Sequence, residues 1–238
     1  MRILIINPNT TAAMTAHVAA QLRLYLPPDA ELVERTATFG GPVIATPQAF
    51  AVGAEAAAAV LTEAMREGPG FDRVLLACFG DPGLEVLRTL TSVPVTGLAE
   101  TCMRDAESTR RPYAVVTSGA GWKTILNKRF AQWGASDRYC GTHVIRLTGL
   151  EVFADPLGAM PAVLEGIATA KRAGAQHIIL GGAVLAGYKA LMAQSSVQTQ
   201  GLADCVEGAA KAMLQPDALA APGITPKETP DMVHTGRR

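Results

Sequence analysis

The stretch FDRVLLACFGDPGLEVLRTLTSVPVTGLAET, residues 71–101, decides the fold, because a related stretch follows at residues 175–205. Aligned without a gap at an offset of 104 residues, the two stretches share eight identical positions. In the first copy these positions are Leu76, Gly83, Leu87, Ser92, Val93, Gly97, Leu98 and Ala99. Each copy has a short apolar run, a glycine-containing turn and an amphipathic segment, which indicates a strand followed by a helix. We therefore predict an internal duplication.

The same alternation of strand and helix extends outward in both directions. It begins with MRILIIN at residues 1–7 and restarts with RPYAVVTS at residues 111–118, and amphipathic segments lie between the apolar runs. Such alternation predicts an α/β fold in which mostly parallel sheets are covered by helices on both faces. We expect two pseudo-symmetric α/β halves, with the active-site cleft between them at the carboxyl ends of the strands.

The repeat also predicts the domain boundaries. Residues 1–97, together with a closing helix within 202–215, form the first half, and residues 98–201 form the second half. Residues 216–238 are rich in proline and polar residues, so they are predicted to form an extended C-terminal tail rather than a domain.

The composition excludes several classes of protein. The 238 residues carry 21 Lys+Arg and 21 Asp+Glu, and 5% of them are aromatic. A zero net charge without a basic run argues against nucleic-acid binding, and the few aromatic residues argue against a base-stacking surface. The apolar run at residues 3–6 is too short for a membrane span or a signal-peptide core. We expect a cytoplasmic homo-oligomer that binds a small-molecule substrate and has no nucleic-acid or membrane partner.

The four cysteines form no CxxC pair, so neither a disulfide framework nor a zinc knuckle is predicted. Cys78 follows an apolar strand in ACFGDPG, residues 77–83, and precedes a predicted helix. The N-terminus of a helix lowers the pKa of a nearby thiol below its ordinary value of about 8.5. Cys78 is therefore the candidate reactive thiol, and Cys102, Cys140 and Cys205 are predicted to be structural.

Polar residues and glycines at the predicted strand ends are the candidates for substrate binding. They are Asn9, Phe79 and Gly80 in the first half, and Thr117, Ser118, Gly119, Gly182 and Ala183 in the second. The amide of Asn9 can both donate and accept a hydrogen bond, although Asn9 and Asn7 could also merely close a turn around Pro8. Asp81 is predicted to cap the next helix rather than to act as a catalytic acid.

No motif for a metal or a cofactor is found. The sequence lacks HExxH, G-x-S-x-G and Walker A motifs, and no GxGxxG follows the first strand. Its histidines are outside the candidate turns and are predicted to be structural or surface groups; they are His17, His143, His177 and His234. We therefore expect no metal site and no cofactor.

Four segments together resemble the aspartate/glutamate/hydantoin racemase superfamily, and the hydantoin and allantoin racemases are its most similar branch. The segments are INPNT at 6–10, ACFGDPG at 77–83, TGLAE at 96–100 and LGGA at 180–183. The resemblance spans residues 1–213 and implies an isomerase that moves a proton on an acidic carbon without a cofactor.

The resemblance also implies roles for individual residues. In the family two cysteines, one from each half, face each other across the cleft and act on opposite faces of the acidic carbon. The first maps onto Cys78, and the second maps onto position 182, where this sequence has glycine. Asn9 maps onto the turn that holds a substrate carbonyl or carboxylate.

Three functions remain open at this point. The first is racemisation of a hydantoin-like substrate, in which Cys78 moves the proton and backbone N–H groups at 79–80 and 182–183 stabilise the enolate. The second is cofactor-free decarboxylation of a malonate-type acid, because related arylmalonate decarboxylases also keep only one cysteine and the segment at 182–185 is small and apolar. The third is a non-catalytic protein that binds a small molecule in the same cleft.

Overall fold

Two four-stranded parallel sheets form the framework of the computed structural model, which describes residues 1–68 and 70–215. The first sheet has the order β2-β1-β3-β4, with β1 (Arg2–Asn7), β2 (Glu31–Thr36), β3 (Arg73–Leu76) and β4 (Val95–Gly97). The second has the order β6-β5-β7-β8, with β5 (Tyr113–Ser118), β6 (Tyr139–Ile145), β7 (His177–Leu180) and β8 (Leu202–Asp204). The predicted α/β fold with two similar halves is confirmed. The predicted tail at 216–238 is outside the described residues.

Helices follow the strands and cover the sheets. They are α1 (Ala12–Arg23), α2 (Pro47–Glu67), α3 (Leu84–Leu90), α4 (Leu98–Ser108), α5 (Trp122–Gln132), α6 (Gly149–Ala154), α7 (Pro156–Arg172), α8 (Tyr188–Gln194) and α9 (Cys205–Leu214), with a 3-10 turn at Ala183–Leu185. No helix within the described residues is both long and apolar enough to cross a membrane.

Burial on both faces explains why the central strands are continuous apolar runs. The side chains from Ile3 to Ile6 in β1 have no exposed surface, because β1 lies between β2 and β3 and is covered on both sides. One buried cluster joins the two halves, since Leu75 of β3 and Ile179 of β7 belong to it together with Phe130 of α5. A second cluster covers the other face of the second sheet.

The 104-residue offset predicted from the sequence holds for the first two elements of the repeat, and the offset then increases. β3 begins at Arg73 and β7 at His177, and α3 and α8 begin at Leu84 and Tyr188, each pair 104 residues apart. β4 and β8 are 107 residues apart, because the loop before β8 has three more residues than the loop before β4. The gapless alignment is therefore wrong beyond α8, and Gly97 corresponds to Asp204 rather than to Gly201.

The expected boundary at 202–215 also needs correction. Residues Leu202–Asp204 form β8 in the second sheet instead of opening a helix of the first half, because they pair with Ile178, Ile179 and Leu180 of β7. The helix that follows, α9, does return to the first half, where it packs against α1 and β4, and it also packs against α4. The closing helix is thus shorter than predicted and begins at Cys205.

Candidate active site

Cys78 lies in a tight turn at the carboxyl end of β3. Gly80 and Asp81 have φ angles of +116° and +57°, in the left-handed region that reverses the chain. The Asp81 N–H donates to the Cys78 carbonyl at 3.0 Å and closes the turn. The Cys78 side chain is 7% exposed.

The environment of Cys78 differs from the one predicted. Helix α3 begins only at Leu84, so the thiol is not at the N-terminus of a helix. Burial, together with the negative charge of Asp81, raises the pKa of Cys78 well above that of a free thiol. The prediction of a lowered pKa is therefore wrong, because the cost of desolvating a thiolate dominates. The deeply buried Cys102 and Cys205 also have raised pKa values.

Asp81 caps a helix, as expected, but the helix is α4 rather than α3. Its Oδ1 accepts from the Ala99 N–H at 3.1 Å and its Oδ2 accepts from the Glu100 N–H at 2.7 Å. The side chain is fully buried, and burial raises the pKa of Asp81 to about 7, although the two N–H groups oppose that shift. The carboxylate therefore links the Cys78 turn to the start of α4.

In the second half the helix that corresponds to α4 is α9. Its N-terminus is also capped by a carboxylate, but the residue that supplies it is at a different position of the repeat. Asp204 caps its own helix α9 by accepting from the Val206 N–H at 2.9 Å, and it also accepts from the Gly187 N–H at 2.7 Å. The position that corresponds to Asp204 in the first half is Gly97, and a Cβ atom there would collide with the Asp81 carboxylate.

The loop after β1 presents Asn9 and buries Asn7. The Asn7 amide donates to Asn9 Oδ1 at 3.1 Å and to Thr15 Oγ1 at 3.0 Å, so it holds the turn together. Asn9 Oδ1 also accepts from the Thr11 N–H at 2.9 Å. Asn9 Nδ2 has no partner among the described residues, and the side chain is half-buried. The turn-closing role thus belongs to both asparagines, while Asn9 keeps donors for a ligand.

The second half brings Thr117 and Gly182 together. A Cβ atom on Gly182 would lie 3.5 Å from Thr117 Oγ1, and Gly182 has a φ of +138°, which side-chain-bearing residues rarely adopt. One on Gly149 would lie 3.7 Å from Ser118 Oγ. The hydroxyls of Thr117 and Ser118 have no hydrogen-bond partner within residues 1–68 and 70–215. Gly119, with a φ of +90°, turns the chain directly after them.

Backbone N–H groups at the ends of β3 and β7 are also without partners. Those of Phe79, Gly80 and Ala183 donate to no other group in the described part of the chain, whereas the Gly182 backbone adjoins the Cys205 thiol. Free N–H groups of this kind are the donors that stabilise a developing oxyanion.

The Phe79 side chain lies against the second half and not in an open site. Phe79 is 3% exposed, and its Cε1 lies only 2.5 Å from the position that a Cβ atom on Gly181 would occupy. Only the backbone of Phe79 is therefore available to a ligand. The sequence could not reveal this, because the partner, Gly181, is distant along the chain.

Further contacts close the two halves on each other. The Trp122 ring at the start of α5 covers Gly80, with Cζ3 2.5 Å from the position of a Cβ atom there. The ring packs edge-on against Phe50 of α2, with 6.3 Å between centroids. Gly121 packs against the carbonyl oxygen of Ala45, so closely that a Cβ atom would overlap it. These residues were not identified from the sequence.

We expect Gly121→Ala to destabilise the protein by about 1–3 kcal/mol, the usual cost of overpacking. Gly121 has a φ of −66°, which alanine adopts freely, so the cost comes from the overlap with Ala45 across the cleft. Urea unfolding measures the effect, and Gly149→Ala is the control, because its Cβ would make ordinary contacts at 3.7 Å. A Gly121→Ala variant as stable as the wild type would contradict the close contact between the halves.

The three histidines within residues 1–68 and 70–215 do not form a second centre, and His234 lies outside the described residues. His17 packs edge-on against Phe153 with 5.6 Å between ring centroids, and burial lowers its pKa. Burial likewise lowers the pKa values of His143 and His177. Across residues 1–68 and 70–215 no three His, Cys, Asp or Glu side chains are grouped as metal ligands.

A large cavity, of about 1270 Å³, lies elsewhere, along α4 and α9. Glu100 and Glu207 line it, and each is paired with two cationic side chains. None of the residues of the Cys78 turn contributes to its walls, so the cavity is separate from the candidate active site.

Known proteins match this chain along most of its length. A family model described as Asp/Glu/Hydantoin racemase matches residues 3–213. A hydantoin racemase from Rhizobium meliloti is 31% identical over 187 residues, which cover 76% of this chain and 75% of that protein. Allantoin racemase from Klebsiella pneumoniae superposes with a TM-score of 0.80 and 30% identity, covering 92% of this chain and 89% of its own. Arylmalonate decarboxylase, at 14% identity and a TM-score of 0.59 over 95% of this chain and 96% of its own, shares the fold.

Proposed function

Because this chain belongs to the Asp/Glu/hydantoin racemase family, we propose that it moves a proton on the carbon beside a carbonyl of a hydantoin-like cyclic ureide. It is an enzyme of the racemase type. In the proposed reaction Cys78 carries the proton, and no cofactor takes part. The observation that carries the proposal is the Cys78 turn, where a buried thiol adjoins the unpartnered N–H groups of Phe79 and Gly80.

The polar groups of the cleft support an uncharged substrate. The side chains that offer free hydrogen-bonding groups at the strand ends are Asn9, Thr117 and Ser118, and none of them is charged. An amide and two hydroxyls match the alternating N–H and C=O groups of a cyclic ureide. The similar proteins named hydantoin racemase and allantoin racemase point to the same substrate class.

The raised pKa of Cys78 bears on how the proton moves. Because burial raises the pKa of Cys78, only a small fraction of the protein carries the thiolate at neutral pH. That thiolate is a strong base: it takes the α-proton from carbon and becomes the thiol, and it is regenerated when the thiol returns a proton to the enolate. Backbone N–H groups at Phe79, Gly80 and Ala183 would stabilise the enolate oxygen as its charge develops.

Position 182 sets the expected stereochemistry. Glycine occupies the place of the second cysteine, so a single thiol serves one face of the substrate. In deuterium oxide we expect the α-hydrogen of one hydantoin enantiomer to exchange rapidly with retention, and conversion to the mirror image to be much slower. Chiral chromatography with deuterium counting by mass spectrometry measures both. Fast racemisation with equal deuterium in both enantiomers would show that another group serves the second face.

Gly182→Cys tests the same point by adding a thiol. We expect racemisation to rise relative to Gly182→Ala, the control that carries the same backbone strain at a φ of +138° without the thiol. The Cβ itself fits, because its nearest neighbour would be Thr117 Oγ1 at 3.5 Å. If the cysteine and alanine variants racemise equally, position 182 does not face the acidic carbon.

The decarboxylase alternative has weaker support. The apolar surface expected at 182–185 is smaller than the sequence suggested, because Leu185 is fully buried and the Thr117 hydroxyl adjoins Gly182. A carboxylate about to leave as CO2 would therefore meet a polar group on that face. Assaying arylmalonates beside hydantoins separates the two, since decarboxylation alone consumes the malonate.

A further inference from the structure

Arg129 of the second half makes an unusual set of contacts with the Cys78 turn of the first half. Its Nε donates to the Gly80 carbonyl at 3.3 Å, and its Nη2 donates to the Asp81 carbonyl at 3.4 Å. The guanidinium also stacks on the Trp133 ring, 4.3 Å from its centroid. Its side chain is only 14% exposed, so these contacts are made largely away from solvent.

Glu85 holds the guanidinium in place. Arg129 Nη2 donates to the two Glu85 carboxylate oxygens at 2.8 and 3.1 Å, and the Trp133 indole N–H donates to Glu85 Oε1 at 3.1 Å. A planar guanidinium with several fixed donors can serve a carboxylate and two carbonyls at once, which an ammonium group cannot do. The Arg129 side chain is thereby fixed in one orientation toward the turn.

One peptide group connects Arg129 to Cys78. The Gly80 carbonyl that accepts from Arg129 belongs to the same planar peptide as the Asp81 N–H, which donates to the Cys78 carbonyl at 3.0 Å. Fixing one end of this peptide fixes the other. Since Gly80 and Asp81 both have positive φ angles, the turn has no regular secondary structure to hold it.

We propose that Arg129 is a positioning residue that acts across the cleft and holds the Cys78 turn in its reactive geometry. The proposal rests on the proposed role of Cys78 in proton transfer. Both carbonyl contacts are longer than an ideal N–H···O hydrogen bond, so a small separation of the halves breaks them. The contacts that Arg129 makes with the turn therefore form only when α5 packs against the first half.

Arg129→Ala tests this on the full-length protein. We expect kcat for α-proton exchange to fall about 100-fold, the loss that a displacement of about 1 Å can cause, while KM changes little. Arg129→Lys should restore part of kcat, because an ammonium group can reach one carbonyl. Glu85→Gln should lower kcat by less than Arg129→Ala, because the glutamine amide oxygen can still accept from Arg129 and the two carbonyl contacts remain. Lys128→Ala, on the exposed face of the same helix, should have no effect.

A second readout does not depend on turnover. The pH dependence of iodoacetamide alkylation at Cys78, followed by peptide mass spectrometry, should move down by about one unit in Arg129→Ala, because a released turn exposes the thiol to water. The alkylation profile should move less in Glu85→Gln and stay unchanged in Lys128→Ala. If Arg129→Ala and Glu85→Gln lower kcat equally, or if neither moves kcat or the alkylation profile, Arg129 only stabilises the fold and the proposal is wrong. A shift in alkylation without any racemase activity in the wild type would refute the proposed function and keep the positioning of Cys78.

Discussion

Cys78→Ser is expected to lower the rate of α-proton exchange about 1,000-fold or more, within the range that one general acid–base group contributes. A serine hydroxyl is a far weaker acid than a thiol, so it neither yields the anion nor returns the proton at neutral pH. Serine also fits the space of Cys78 without overlap, so the fold should be unaffected. Exchange of deuterium into a hydantoin by the purified variant measures the loss.

Cys140→Ser is the control for this substitution. The Cys140 thiol is half-buried on β6, where it donates to the Arg138 carbonyl at 3.5 Å and packs against the second buried cluster, so we expect wild-type turnover. Because burial raises the pKa of Cys78, its alkylation in the substrate-free protein should be slow at pH 7 and should accelerate as the pH rises. A serine variant that keeps about a tenth of the wild-type rate or more would exclude Cys78 as the proton carrier.

Asp81→Ala is expected to reduce the free energy of unfolding by about 3 kcal/mol. Roughly 2 kcal/mol comes from the two N–H groups of α4 that lose their carboxylate, and about 1 kcal/mol comes from alanine at a φ of +57°. Asparagine tolerates that φ and keeps one acceptor, so Asp81→Asn should lose less. Chemical denaturation of the three proteins measures both differences. Equal stability of the alanine variant would mean that the cap on α4 contributes nothing.

The difference in stability between the wild type and Asp81→Asn should also depend on pH. Burial raises the pKa of Asp81 to about 7 from its ordinary value, so the folded protein favours the protonated carboxyl. Its contribution to stability is full below the unfolded-state pKa and declines as the pH rises toward 7. The cost of Asp81→Asn should therefore shrink between pH 5 and pH 8. A cost that grows over that range would show that the buried group is held as an anion.

The sequence predicted those parts of the fold that depend on local pattern. The apolar runs at residues 1–7 and 111–118 contain the strands Arg2–Asn7 and Tyr113–Ser118, since burial on both faces leaves a clear signal. The three extra residues before β8 left no such signal, so the gapless alignment placed Gly97 on Gly201 and the predicted helix began three residues early. A short edge strand such as Leu202–Asp204 depends on pairing with β7, which the sequence does not encode locally.

The candidate site was likewise predictable only where it depends on local sequence. The turns that hold Cys78, Asn9 and Thr117 were recognisable because each follows a strand with a polar or glycine-rich segment. The roles of Trp122 and Arg129 were not, because both act across the cleft on Gly80, which is about 40 residues or more distant in the chain. The pKa of Cys78 was mispredicted for a related reason, since burial by both halves outweighs what the neighbouring residues suggest.

The unequal capping of α4 and α9 restricts how the two halves can diverge. If one ancestral unit gave rise to both, the carboxylate that caps the helix moved between the helix start itself, as in Asp204, and the preceding turn, as in Asp81. A single substitution on the way from one arrangement to the other leaves either two carboxylates competing for the same space or no carboxylate at the helix N-terminus. Both intermediate proteins are less stable. Positions 81 and 97 should therefore co-vary through evolution. Chimeras that join the turn of one half to the helix of the other will fail to fold well unless both positions are exchanged.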